Sequence, residues 1–211
     1  MKNLRAKVSA FVGRIFGGST DATPANIADS GLEQGEAVLA RCSGRSVRPY
    51  STRDFGREPY HGARSVIVMP ILAPHILKHV RAGLGPGMIA FIGTQTSLAD
   101  PAPSGTEIVV GRGSTQFDIL RVAASDAVNY DMGTEDLIAR LQRWDKDIGI
   151  DIYAAQTDLI QLRLKSLPND VGAFAQEVYS FCPDIVDQGA GSLHELASEI
   201  ERTKELTLWW D

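Results

Sequence analysis

Cysteine is scarce: Cys42 and Cys182 are the two thiols of the 211-residue chain and lie far apart in it. Neither a disulfide framework nor a four-ligand zinc site can be assembled from them. A reducing cytoplasm is the simplest expectation. Histidine is scarce as well, with four in the chain. His75 and His79 have the spacing of a helical metal pair, but no third ligand lies nearby, so an exposed pair and no metal or other cofactor is expected. No apolar run approaches the roughly 20 residues that span a bilayer. The opening residues lack the uninterrupted apolar centre and small-residue cleavage site of a secretory leader. Nor is there a phosphate loop. The glycine cluster GLGPG (Gly83 to Gly87) follows a helical stripe, whereas a phosphate loop leads from a strand into a helix whose N-terminal amides face the anion. A left-handed cap and a tight turn are expected there instead.

What is present is ordinary globular material, 44% hydrophobic and 22% charged, enough for one substantial core. The formal charge of −5 is unevenly spread: residues 1–64 carry ten Lys and Arg against six Asp and Glu (+4), residues 65–211 eleven against twenty (−9). An acidic body is a poor partner for nucleic acid, because phosphate binding needs concentrated positive charge. Leu4, Val8, Phe11, Val12 and Ile15 stand at helical spacing among Lys2, Arg5, Lys7 and Arg14. Such a basic amphipathic helix packs on its own domain or frays; contact of residues 1–16 with a membrane surface is a second reading. Gly17–Gly31 is small and polar and reads as linker. The expected organisation is therefore a helix and linker over 1–31 and a single α+β domain over 32–211, with an N-terminal lobe to residue 112.

Within that domain, LEQGEAVLARC reads as a helix ending at Cys42. Arg41, Arg45, Arg48, Arg53, Arg57 and Arg64, interleaved with Tyr50, Phe55 and Tyr60, read as solvated arginines on an irregular loop, since Asp54 and Glu58 dilute a single-strand-binding surface. SVIVMPI, APHILKHVRAGL and MIAFIG form a β-α-β unit, with strands parallel if they share a sheet. Thr94–Thr106 is a proline-rich loop, EIVVG a short strand, and STQFDILRVAAS leans to helix through Thr115 and Asp118. Thr134 is the expected N-cap of a helix burying Leu137, Ile138, Leu141 and Trp144. IDIYAAQTDLIQLRL is a hairpin. NDVGAFAQEVYSFC is a helix capped by Asn169, and Ser192 with Glu195 opens the last helix. LTLWWD is the closing strand. The order implies helices packed on a mixed, largely antiparallel sheet.

The stretch FCPDIVDQG holds most of the reactive groups. Pro183 must end the preceding helix and can begin a new turn, with Asp184 in its N-terminal field. Cys182 then either packs as a buried thiol, the favoured reading, or is acidified as a nucleophile. In the closing strand alternation sends Leu206, Leu208 and Trp210 to one face, and Thr207 and Trp209 to the other. Trp209 either packs under another element or forms an exposed aromatic patch.

NYDMGTEDLIARLQRWDKDIGI, the hairpin, EVYSFCPDIVDQGAGSLHELA and the final LWWD together resemble a bacterial family known as domain of unknown function 4253, over about Asn129–Asp211. The resemblance implies a fold and brings no catalytic residue with it.

Two functions follow as expectations. The first is a non-enzymatic binding module that recognises an unknown protein partner through an aromatic and acidic surface, with Asn129, Tyr130, Asp184, Asp187, Trp209 and Asp211 as candidate binding residues. The second is a small hydrolase or transferase using Cys182 with Asp184 and His194, if His194 faces back onto the thiol. The first is favoured, because no nucleophile, base and oxyanion set emerges. The acid pairs Asp145/Asp147 and Asp184/Asp187 are expected to be solvated.

Overall fold

The computed structural model describes residues 24–51, 60–94 and 105–211. The amphipathic stretch over residues 1–16, Arg53, Phe55, Arg57 and most of the proline-rich loop lie outside the described residues.

Helix α1 (Pro24–Ser43) starts inside the stretch whose composition reads as linker. Proline near a helix start is well placed, since its missing amide would have no partner there. Strands β1 (Arg48–Tyr50) and β2 (Tyr60–Val68) then pair antiparallel, so Arg48 and Arg64 sit on strands and not on an irregular loop. Arg48 is an ion-pair partner as well. Its Nη2 lies 2.9 Å from Oε1 of the fully buried Glu107, and its Nε donates to the buried Ser65 hydroxyl. A carboxylate without solvent needs such a cation.

After β2 a 3-10 turn (Pro70–Leu72) leads into α2 (Ala73–Gly83), which buries Ala73, Ile76, Leu77 and Val80. The GLGPG cluster makes a turn, but the cap is Leu84 in extended backbone; the positive φ, 80°, falls on Gly87. Strand β3 (Met88–Ile92) follows, and β4 (Thr106–Arg112) pairs antiparallel with both β2 and β3. Thus β2 and β3 are parallel, as the β-α-β reading requires, but β4 is inserted between them.

Helices α3 (Asp118–Ala123) and α4 (Thr134–Asp147) precede the hairpin β5 (Ile150–Ala155) and β6 (Leu159–Leu164). At the head of α3 the Asp118 carboxylate accepts the Ser114 and Thr115 amides at 2.8 and 2.9 Å, half of the expected capping box. Gly133, not Thr134, is the N-cap of α4, and the Asp136 carboxylate accepts its amide at 2.9 Å. Helix α5 (Val171–Phe181) is capped by Asp170, not Asn169, whose carboxylate accepts the Ala173 amide. Helix α6 (Leu193–Thr203) has Ser192 as cap, and β7 (Glu205–Trp209) closes the chain's path through the sheet.

The seven strands form one sheet in the order β1-β2-β4-β3-β5-β6-β7. Its one parallel neighbour pair among the described residues, β3 with β5, is registered at Ile92 and Ala154. Side chains supply hydrogen bonds at this seam. Arg81 from α2 donates to Ala90 O at 2.8 Å and Ile152 O at 2.6 Å and pairs with Asp151, while Gln116, in the turn before α3, accepts the Ile152 amide and donates to Ile150 O. Buried backbone groups that lack a ladder partner need such substitutes. Helices α1 and α2 cover one face of β2, β4 and β3. A larger core lies on the opposite face, where α3 to α6 pack against strands extending to β7. No helix among the described residues is long and apolar enough to cross a membrane.

Candidate functional site at the cysteine corner and the closing strand

Helix α5 stops where proline dictates. The Cys182 amide still reaches Val178 O at 2.8 Å, and the Pro183 carbonyl then accepts the amides of both Val186 and Asp187 at 3.0 Å. This starts a π-helical turn, Ile185–Ala190, which ends at Gly191 with φ 79°. Left-handed backbone favours glycine there. Wide turns of this type recur at functional sites.

Around the turn the sequence candidates part company. Asp184 is buried, 5% exposed, and not solvated as its pairing with Asp187 suggests. Its Oδ2 accepts from Tyr130 Oη and from the Asp211 amide, both at 3.0 Å, and its Oδ1 from Gln188 Nε2 at 3.1 Å. Tyr130, Asp184 and Asp211 are therefore one cluster, and the charge at Asp184 raises the Tyr130 phenol above its usual range by hydrogen bonding. Asp187 is exposed and accepts from Tyr179 Oη at 3.2 Å. Asn129 is exposed on the 3-10 turn Val128–Tyr130. Asp145 accepts the Ile150 amide at 2.9 Å and so ties the end of α4 to β5.

Cys182 is fully buried, and its thiol donates to Trp209 O at 3.0 Å. Burial pushes the thiol up to about 11, against the smaller effect of its backbone hydrogen bonds. Nucleophilic cysteines need the opposite shift. His194 is exposed on the first turn of α6. His75 and His79 are exposed on α2 with ring centroids 4.2 Å apart, and His79 Nδ1 lies 2.9 Å from His75 O. Among the described residues no group of three or more His, Cys, Asp or Glu is arranged to hold a metal.

The two tryptophans separate as alternation requires. Trp210 is buried at the end of an edge-to-face aromatic series, Phe174–Trp144–Phe181–Trp210, with centroids 5.2, 5.5 and 5.3 Å apart, and its Nε1 donates to Phe181 O. Trp209, on the other face, is partly buried, with its ring against Gly189 of the π-helical turn. A Cβ at Gly189 would stand 2.7 Å from the indole Cη2, so the glycine makes the close approach possible.

Beside this contact is a cleft of about 290 Å³ between β7, α6 and the π-helical turn, lined by Gly189, Glu199, Thr203, Glu205, Thr207 and Trp209 among others. Glu205 is held by Arg163 Nε at 2.7 Å, and Arg163 lies 4.5 Å over the Tyr153 ring. Burial, and then the Glu205 charge, push the Tyr153 phenol up to about 12. A wider, more open hollow of about 470 Å³ lies between α1 and Arg45–Val47, with none of the candidate residues in its lining. Sequence reasoning missed the roles of Gly189, Glu199, Glu205 and Thr207. Alternation along β7 groups Glu205 and Thr207 with Trp209, but nothing local connects them to a glycine in another turn.

The fold and this site define an α+β protein with helices on both faces of a mixed sheet and a cleft at one sheet edge. Residues 107–211, from within β4 to the last residue, belong to the family described as Domain of unknown function (DUF4253). No curated protein and no solved structure matches the chain.

Proposed function

We propose that this is a cytoplasmic bacterial protein that acts as a non-enzymatic interaction module and recognises another protein through the surface around Trp209. The observation that carries this reading is the setting of that indole. It is partly buried against Gly189, beside a cleft whose lining carries the carboxylates of Glu199 and Glu205, and Asp187 and Asp211 are exposed on neighbouring elements. Tryptophan is among the residues enriched at the anchoring positions of protein interfaces, where its ring supplies apolar area and its N–H a polar handle. The alternative, a cysteine-dependent hydrolase or transferase, draws no support from a buried thiol raised to about 11 and donating to a carbonyl.

Affinity capture from the native cell tests the proposal. The full chain is expected to retain a protein that is lost with Trp209→Ala and weakened with Asp211→Asn. Retention of the same proteins by both variants overturns it. Rapid modification of Cys182 by a thiol reagent at neutral pH, well before unfolding, would favour the alternative.

A further inference from the structure

The two edges of the sheet are built differently. At one edge β1 is three residues long and has Pro49 at its centre. A short strand with a missing amide is a poor template for another chain. At the other edge β7 is five residues, Glu-Leu-Thr-Leu-Trp, with no proline and no lysine.

The hydrogen bonds to β6 set the phase of β7. Leu164 N donates to Lys204 O and Trp210 N to Asp158 O. Partners in an antiparallel pair alternate between bonded and non-bonded, so residues 204, 206, 208 and 210 turn their backbone towards β6. Glu205, Thr207 and Trp209 turn theirs to the free side. Two of those outward groups are already used: Glu205 N donates to Thr203 Oγ1 at 3.1 Å, and Trp209 O accepts the Cys182 thiol. The outward groups left over are Glu205 C=O, Thr207 N–H and C=O, and Trp209 N–H, for which no partner exists among the described residues. They follow one another along the strand that lines the cleft, with α6 and the π-helical turn as its other boundary.

An edge strand facing a helix across a cleft, with consecutive free backbone groups, is the arrangement that accepts an extended peptide as an added strand. The cleft's lining carries Glu199 and Glu205 and no basic side chain; each already has one arginine on its Oε1, Arg202 at 3.8 Å and Arg163 at 2.7 Å, which leaves Glu199 Oε2 without a partner among the described residues. We propose that the free edge of β7 binds an extended segment of a partner protein by strand addition, pairing backbone to backbone at Thr207, with a Lys or Arg of the segment facing Glu199 and Glu205. This rests on the interaction-module reading and adds the mode and chemistry of the partner segment.

The test uses the full chain and the acetylated, amidated peptide Thr-Lys-Val-Lys-Val-Lys-Thr. Binding is expected to move and protect the Thr207 and Trp209 amides in NMR spectra. Replacing the lysines by glutamates should weaken it at least tenfold, as should N-methylation of alternate peptide amides in one of the two phases. No change at these two amides at millimolar peptide, or equal binding by both N-methylated peptides, overturns the proposal. Thr207→Pro removes the outward donor without removing a backbone hydrogen bond to β6, at the loss of the Gln161 Nε2 donation to Thr207 Oγ1, and should abolish the same spectral changes. Should this variant misfold, the N-methylated peptides on the unaltered chain still decide. If a captured partner is lost with Trp209→Ala but kept by folded Thr207→Pro, the interaction module stands and strand addition falls; if both variants keep it, both fall.

Discussion

Asp184 and Cys182 are neighbours of one proline, and both are spent on holding the closing strand. Asp184 receives the Tyr130 hydroxyl, the Gln188 amide and the Asp211 backbone amide. Asp184→Ala leaves those donors without their acceptor and is expected to cost about 1–3 kcal/mol in urea unfolding, with a loss of ordered Asp211 in NMR spectra. The thiol makes a pH prediction. Its native proton affinity is raised towards about 11 from an ordinary value of 9.0, so the folded chain binds the proton more tightly than the unfolded one. Stability from this group is therefore complete below pH ~8.5 and falls as pH rises through about 11, by a total on the order of 3 kcal/mol. Unfolding free energies measured between pH 7 and 10.5 should show the decline, and Cys182→Ala should make it shallower, leaving the part that the raised Tyr130, Tyr153 and Tyr179 phenols contribute above pH ~10. A flat profile for the unaltered chain would contradict the burial of this thiol.

At the scale of elements, β7 is a structural rung before it is a recognition surface. Leu206, Leu208 and Trp210 are 2%, 0% and 4% exposed, and Trp210 completes the aromatic series begun by Phe174. Deleting residues 208–211 removes one fully buried leucine and one buried indole, each contributing about 2–5 kcal/mol, which together approach the stability of an average domain. The truncated chain is expected in the insoluble fraction, and a soluble product with an unchanged melting point would show that the strand carries no core. Much of this element was legible in advance. Alternation alone separates Trp209 from Trp210, the stripe of α4 names its four buried residues, and Pro183 marks the end of α5. The N-caps of α4 and α5 each lie one position from the residue expected. At α5 two polar residues, Asn169 and Asp170, stand side by side, and at α4 a glycine, which also tolerates the N-cap position, precedes Thr134; the entry path of the chain, set by packing, selects between them.

At the scale of the whole molecule, the described residues are interlocked from β1 to β7. The family region begins at Glu107 within β4, yet β3, residues 88–92, lies between β4 and β5. Residues 107–211 alone would leave β4 and β5 with unpaired edges, and Glu107 would lose Arg48. That fragment is expected to aggregate or to remain without cooperative unfolding by circular dichroism, whereas a sharp transition near that of the full chain would show the region to be self-sufficient. By itself the sequence determined what depends on neighbours within a few residues: helical stripes, strand alternation, the break at Pro183 and the α+β class. The tertiary structure alone decided the insertion of β4, the Arg81 and Gln116 bonds across the β3–β5 seam, the burial of Asp184 and Glu107, and the seating of Trp209 on Gly189. The physical reason is separation along the chain: periodicity states which side of an element is apolar, but the partner of a buried charge or an unpaired backbone group is chosen only when distant segments meet.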